Sequence, residues 1–235
     1  GYFLMIKTTT DINEIIVFAS MWNMDGLILM GFCEANYEKL RNQMRISFVV
    51  YDGYFDKSSK FVNLVIDHYD GGYKAGEYFK KLGHKKALCI SDNYICMDKE
   101  RIDGFCKAFA QGETVIWQIP NTKKERVQFY RDKFLELSML GITGVFAVSD
   151  YYALDFMQFL QGRGVRIPKD LQIIGMDDSI ASRESIPALT TIHQDADLRA
   201  KTAIECIEDM REGRDFSTRV VLPVKLIKRE SIGKL

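Results

Sequence analysis

The sequence has 235 residues, of which 47% are hydrophobic and 12% aromatic, and its 32 Lys and Arg residues balance 32 Asp and Glu residues. A formal net charge of zero excludes a strongly basic surface that would hold nucleic acid by counterion release along this stretch. The length and apolar content suit one large domain or two smaller ones, and they exclude a disordered or disulfide-stapled chain.

Short apolar runs recur along the chain and predict the strands of a parallel sheet that is covered on both faces. They comprise residues 3–6, 26–30, 46–50, 62–66, 87–90, 115–119, 145–148 and 172–175. Segments of helical period lie between most of these runs or after them, at residues 12–22, 35–43, 71–82, 99–111, 123–140, 151–163 and 196–211. This alternation is typical of βαβ units and predicts a doubly wound α/β architecture.

Local residue types predict where several helices begin and end. Asp70, Asp98 and Asp150 stand directly before helical patterns, where a carboxylate can accept hydrogen bonds from the free N–H groups of the first turn. Gly83 and Gly164 follow helical patterns and suit the left-handed conformation that ends a helix.

The late part of the chain interrupts the alternation. Residues 179–191 are irregular, and residues 220–227 are extended with no helix after them. A late helix and late strands can return to an earlier sheet, so the sequence predicts two discontinuous subdomains rather than two consecutive domains.

Other classes of protein find little support in the sequence. No run approaches the roughly 18 to 20 apolar residues that span a bilayer, and the first residues lack the features of a signal peptide. The five cysteines, at positions 33, 89, 96, 106 and 206, include no C-x-x-C pair, which predicts reduced thiols in a cytoplasmic protein. The three histidines are isolated, and the common nucleotide and hydrolase motifs are missing, so we expect no metal, no cofactor and no enzyme.

Polar residues follow several predicted strands. They are Tyr51 and Asp52, Ser91 to Asn93, Ser149 and Asp150, and Asp177 and Asp178. Ligands of open parallel sheets bind beyond the carboxyl ends of the strands, and carboxylates with nearby aromatic rings suit a polyhydroxylated ligand. Two alternatives stay open, since such carboxylates also cap helices and a pair such as Asp177 and Asp178 can hold Mg²⁺.

Longer motifs extend in order over nearly the whole chain. They are VIDHYDGG (65–72), LGHKK (82–86), RIDGF (101–105), VFAVSD (145–150), GVRIPKDL (164–171), IGMDD (174–178), PALTTIHQD (187–195) and LPVKLIKRES (222–231). With these motifs the chain resembles the effector-binding core of the LacI/GalR family of bacterial transcription regulators, whose fold is that of the type I periplasmic binding proteins.

The resemblance implies a set of ligand-binding residues. Asp70 would accept a ligand hydroxyl, Arg101 would donate in a fork to ligand oxygens, and Asp177 would be the main pocket carboxylate, while Asp178 stabilises its loop. The full set is Asp70, Arg101, Ser149, Asp150, Asp177 and Gln194, with Trp117 and Tyr51 as candidates for stacking on a sugar ring. Ser149 stands where the family often has Asn, so its hydroxyl replaces an amide.

The resemblance also implies two interlaced, doubly wound subdomains joined by a hinge of three crossing segments. The N-terminal subdomain would comprise residues 1–82 and 195–221, without the first strand and helix of the family. The C-terminal subdomain would comprise residues 83–194 and 222–235.

The function implied by the resemblance is that of a cytoplasmic effector-sensing and dimerisation core. A small polar effector, expected to be a sugar or sugar derivative, would bind in the cleft between the subdomains of a homodimer. It would modulate operator DNA binding through an upstream helix-turn-helix that is not in this chain, without any membrane partner. The alternative is a transport-associated sugar-binding protein of the same fold, and the coding sequence upstream of Gly1 would separate the two.

Overall fold

The structure is a computed structural model that describes residues 2–9, 11–30, 37–53 and 61–233. Its helices are α1 (Ile12–Met21), α2 (Tyr37–Gln43), α3 (His68–Leu82), α4 (Cys96–Ala108), α5 (Lys123–Leu140), α6 (Asp150–Gln161), α7 (Ile180–Glu184) and α8 (Ala196–Glu212). Its strands are β1 (Leu27–Met30), β2 (Phe48–Tyr51), β3 (Val62–Ile66), β4 (Lys86–Ser91), β5 (Glu113–Gln118), β6 (Gly144–Ala147), β7 (Gln172–Asp177), β8 (Thr190–Gln194), β9 (Arg219–Leu222) and β10 (Val224–Ile227). The chain forms two compact units, unit 1 with Gly1–Val65 and Ala196–Leu222, and unit 2 with Ile66–Asp195 and Pro223–Leu235.

Unit 1 is built on a four-stranded sheet in the order β1-β2-β3-β9. Strands β1, β2 and β3 run parallel, with Leu27 opposite Phe48 and Val49 opposite Val62. Phe48 and Phe61 stack with ring centroids 4.7 Å apart in the apolar core of this unit. Strands β2 and β3 are therefore buried as their apolar composition predicts, whereas Ile28 and Met30 of β1 are exposed.

Unit 2 is built on a six-stranded sheet in the order β10-β8-β7-β6-β4-β5. All of its neighbouring strands are parallel except β10, which pairs antiparallel with β8. Leu88, Ile90, Val145 and Ile173 are fully buried in its core, because helices cover both faces of a parallel sheet. Parallel sheets with covering helices confirm the predicted α/β fold class.

Helix α3 packs against α4 in unit 2 at glycine positions. A Cβ atom at Gly72 would lie 1.8 Å from the backbone oxygen of Arg101, and one at Gly104 would lie 2.1 Å from that of Tyr69. Only glycine allows two helix backbones to approach this closely. Because of this packing α3 belongs to unit 2, and the first division of the chain lies after Val65 rather than after Leu82 as the sequence analysis placed it.

The helix caps differ from those that the sequence predicted. Asp67 caps α3 by accepting from the backbone N–H of Asp70 at 2.8 Å, so Asp70 lies inside the first turn. Ser149 caps α6 in place of Asp150, and α4 begins at Cys96 without a side-chain cap, so Asp98 also lies inside a helix.

The glycines after these helices behave differently from each other. Gly83 takes the left-handed conformation with φ 89° and ends α3 as predicted. Gly164 is also left-handed, but α6 has already ended at Gln161.

Three segments differ from the sequence-based assignment. Residues 3–6 form no strand, and Phe3 is 90% exposed. The irregular residues 179–191 contain α7 and the start of β8, and residues 220–227 divide at Pro223 into β9 and β10. The prediction of a strand at 3–6 is wrong because an apolar run is a strand only where a neighbour supplies hydrogen bonds.

The described cysteines, at positions 89, 96, 106 and 206, are free thiols, as predicted. Cys33 lies outside the described residues. Among the described helices, none combines the length and apolar character needed to cross a membrane.

Candidate functional site

The carboxyl ends of the unit 2 strands bring several polar segments to one edge of the sheet. Strands β4, β6, β7 and β8 are parallel neighbours, so their ends lie side by side. The residues at these ends are Ser91 to Asn93, Val148 to Asp150, Asp177, Asp178 and Gln194. This edge is where open parallel sheets bind ligands.

Arg101 of α4 is held at this edge by three contacts. Its Nε donates to Nδ1 of His68 at 3.1 Å, and its Nη1 donates to the backbone oxygen of Val148 at 2.7 Å. The same Nη1 lies 3.5 Å from Oδ1 of Asp98. Within the described part of the chain no group accepts from Nη2, so the guanidinium is fixed in place and retains a donor for a ligand.

Asp98 provides a carboxylate beside Arg101. Its Oδ2 accepts from the Ser91 hydroxyl at 2.9 Å and from the Asn93 amide at 3.0 Å. Burial raises the pKa of Asp98, although the charge of Arg101 acts in the opposite direction. The carboxylate thus joins the end of β4 to α4.

Asp177 ends β7 in a backbone conformation that is rare outside glycine, with φ 136°. Its Oδ1 accepts from the Gln194 amide at 2.6 Å, and its Oδ2 accepts from the backbone N–H of Asp150 at 3.3 Å. Burial raises the pKa of Asp177 to about 6, and the negative charge of Asp150 adds to this, whereas the charge of Arg101 lowers it. Asp177 and Arg101 thus both contact the segment 148–150, since Arg101 donates to the backbone oxygen of Val148 and Asp177 accepts from the N–H of Asp150.

Asp150 and Ser149 serve the structure of this edge. Asp150 is 1% exposed, and it accepts from the backbone N–H and hydroxyl of Ser179 and from the hydroxyl of Thr191 at 2.5 Å. The Ser149 hydroxyl accepts from the N–H of Tyr152 at 3.3 Å. Asp150 therefore ties the loop after β7 to β8, and Ser149 fixes the start of α6.

Asp178 forms an ion cluster next to this edge. It contacts Arg183 at 2.9 Å and His193 at 2.8 Å, and it also pairs with Arg229. Burial acts against these contacts, but together they lower the pKa of Asp178. This arrangement holds the chain after β7, which is the loop-stabilising role that the resemblance implied.

Two further predicted residues, Asp70 and Trp117, make other contacts. Asp70 is partly exposed in the first turn of α3 and pairs with Lys74 one turn later. Trp117 lies in the core of unit 2, with its ring against Phe129 and Phe156, rather than at the sheet edge. The resemblance suggested Trp117 as a candidate for stacking on a sugar ring, but the pleat of β5 turns its side chain into the core.

Tyr51 belongs to unit 1. The Arg199 guanidinium lies 4.1 Å from its ring centroid, and Arg199 also binds Asp52 at 2.6 Å. Burial raises the pKa of the Tyr51 hydroxyl, with the charge of Arg199 acting against it. One face of the Tyr51 ring is thus covered by a cation.

Two contributors to the unit 2 edge were not assigned from the sequence. His68, one of the three isolated histidines of the sequence, is the buried first residue of α3 and accepts from Nε of Arg101. Burial raises the pKa of Tyr152, and the negative charge of Asp92 adds to this. The signal for Tyr152 was its position two residues after Asp150, at the end of a predicted strand.

Comparison with known proteins agrees with this geometry. The family model for the periplasmic binding protein-like domain matches residues 77–232, which is more than half of the chain. The chain belongs to this family. The HTH-type transcriptional repressor PurR of Vibrio cholerae is 27% identical over 250 residues, covering 100% of this chain and 73% of the repressor. PurR of Haemophilus influenzae is 31% identical over 224 residues, covering 90% of this chain and 65% of that protein.

A solved structure adds a ligand-bound relative. The LacI family transcriptional regulator from Enterococcus faecium, solved with bound ribose, is 26% identical with a TM-score of 0.78, over 95% of this chain and 85% of that one. The chain is thus an effector-binding core of the LacI/GalR type, as the motifs predicted. Its relatives are transcription regulators, which confirms the expectation that it is not an enzyme.

Proposed function

We propose that the carboxyl edge of the unit 2 sheet binds the effector of a transcription regulator, and that the effector is a sugar or sugar derivative. The observation that carries this proposal is that Arg101 and Asp177, two side chains of opposite charge, are both fixed against the segment 148–150 at the strand ends. Gln194 and Asp98 complete a set of donors and acceptors around them.

The chemistry of this set suits hydroxyl groups. A sugar hydroxyl can donate to the Asp177 carboxylate and accept from Nη2 of Arg101 at the same time. Protein contacts already hold both side chains, so ordering them adds little to the free-energy cost of binding a ligand. Asp70 and Ser149 remain proposed contacts of the same ligand, and Asp150 would act by holding the loop.

The ribose-bound regulator of Enterococcus faecium supports the ligand class. Regulation of operator DNA would require a DNA-binding domain outside these residues, and such a regulator acts in the cytoplasm. A secretion signal upstream of Gly1 would instead favour the transport-associated binding protein.

Calorimetric titration of the chain with a panel of pentoses, hexoses and sugar phosphates tests the proposal. We expect one ligand to bind, and Asp177→Asn or Arg101→Met to weaken its binding by about tenfold or more, since each removes a charge-assisted hydrogen bond. Asp132→Asn and Arg131→Met change exposed residues of α5 and are the matched controls. Absence of binding to the folded chain, or full affinity in both site variants, would contradict it.

We further propose that unit 2 carries a homodimer face. Ile180 is 71% exposed, Ile186 is 85% exposed and Tyr151 is 60% exposed. Ile186 and Tyr151 line a hollow of about 560 Å³ that reaches Asp177. Exposed apolar patches of this kind mark interfaces, and a second copy is the occupant that the resemblance implies.

Sedimentation equilibrium tests the dimer face. The double variant Ile180→Asp/Ile186→Asp should shift the chain towards monomer, because two buried charges oppose association. Leu135→Asp, at an apolar residue of α5 that is 72% exposed, should leave the dimer unchanged. A monomeric wild-type chain, or a double variant that dimerises normally, would refute this face.

A further inference from the structure

A surface hollow of about 600 Å³ lies between α3 and the end of β10 in unit 2. We call it the lysine hollow, because four of its seven lining residues are lysines. Its lining residues are Lys74, Glu77, Tyr78, Lys80, Lys81, Leu226 and Lys228. None of the residues proposed to bind the effector lines it, although Lys74 pairs with Asp70.

The hollow holds a local excess of positive charge in a chain of zero net charge. Lys74 pairs with Asp70, and Glu77 is the carboxylate of the lining. Within the described ranges, no carboxylate pairs with the side chains of Lys80, Lys81 or Lys228. Like charges gathered in a concave surface repel one another, so this arrangement favours an anion.

Helix electrostatics account for only part of this arrangement. Lys80 and Lys81 lie in the last turn of α3, where cations are favourable next to the helix dipole. Lys74 lies mid-helix on the same face as Tyr78 and Lys81, as the spacing of a helix requires. Lys228 comes from another element, directly after β10, and its Nζ lies 4.5 Å from the Tyr78 ring centroid.

We propose that the lysine hollow binds a small polyanion that carries at least two phosphate groups. Lysine ammonium groups are mobile point charges that suit phosphate oxygens. The volume is that of a small-molecule site, and Tyr78 and Leu226 provide apolar area for the rest of such a ligand. Polycarboxylates share this charge pattern, and the test separates them from phosphates.

Calorimetric titration of the chain with inorganic pyrophosphate and, separately, with citrate at low ionic strength tests the proposal. We expect saturable one-to-one binding of pyrophosphate, weakened at least about tenfold by Lys81→Glu/Lys228→Glu. Lys107→Glu/Lys124→Glu reverses two exposed lysines of other helices and should keep the affinity. Equal or tighter binding of citrate, no saturable binding, or equal weakening in the control pair would overturn the proposal.

Protection from acetylation provides a second measurement that needs no variant. Pyrophosphate should slow the acetylation of Lys80, Lys81 and Lys228 at least about threefold, measured by mass spectrometry, because bound phosphate shields the ammonium groups. Lys107 and Lys124 should react at unchanged rates. Uniform protection of all five lysines, or none, would show that no site exists there.

Discussion

At the scale of single residues, side chains distant in sequence meet at the carboxyl edge of the unit 2 sheet, where we propose that the effector binds. The sequence predicted Asp177, Gln194 and Arg101 from motifs, and the structure brings all three to the strand ends of one unit. It could not predict that His68 accepts from Arg101, since 33 residues separate them and only the packing of α3 on α4 joins them. Contacts between elements decide such partners, and a pattern along one element does not contain them.

Asp177 predicts a pH dependence of stability. Burial, with the charge of Asp150, raises its pKa from 3.8 to about 6, so the folded state holds a proton that the unfolded state has released. The favourable contribution of Asp177 to the free energy of unfolding is complete below about pH 4 and is lost as the pH rises through about 6. Asp177→Asn cannot ionise, so its free energy of unfolding relative to wild type should rise by roughly 2 kcal/mol between these limits.

Urea unfolding of both proteins across this pH range measures the difference. The exposed Asp132 provides the control, because Asp132→Asn should show no such rise. A constant difference between Asp177→Asn and wild type at every pH would mean that the Asp177 carboxyl titrates normally.

At the scale of elements, helices with strong period and clear ends were predictable. The predicted limits 123–140 of α5 are confirmed, because Thr122 caps the start and Gly141 takes the left-handed conformation at its end. Helix α7 was missed because five residues are too few to show a period. Strand β8 was missed because its residues follow the irregular segment, and its parallel pairing with β7 is a long-range contact.

The crossing of α3 and α4 predicts the effect of a single methyl group. Gly72→Ala would place Cβ 1.8 Å from the Arg101 carbonyl oxygen, and only a shift of the helix backbones relieves this overlap. We expect a loss of about 3 kcal/mol in the free energy of unfolding. Because Arg101 would move with α4, effector affinity should also fall.

Chemical denaturation measures the loss, with Gly162→Ala as the matched control. At Gly162, a Cβ atom would have its nearest contact at 3.4 Å and the backbone is right-handed helical, so alanine should be neutral or slightly stabilising. Equal stability of the two variants would show that the helices do not cross at Gly72.

At the scale of the whole molecule, the chain passes three times between the two units. The break in alternation after β7 predicted this interlacing, and the resemblance supplied its topology. The position of the first division depends on how α3 packs, which the helical pattern of residues 71–82 does not reveal. Segments before β1 illustrate the same limit, since residues 3–6 have strand-like composition and yet form no strand.

The strands of the two units differ in burial, which predicts unequal local stability. Strands β4 and β6 of unit 2 have fully buried apolar residues on both faces, whereas β1 of unit 1 has Met30 68% exposed. Local opening is easiest where little apolar surface is buried. Amides of β4 and β6 should therefore exchange with deuterium at least about tenfold more slowly than those of β1, as measured by mass spectrometry of peptic fragments. Equal protection of these strands would show that the two units open together as one cooperative body.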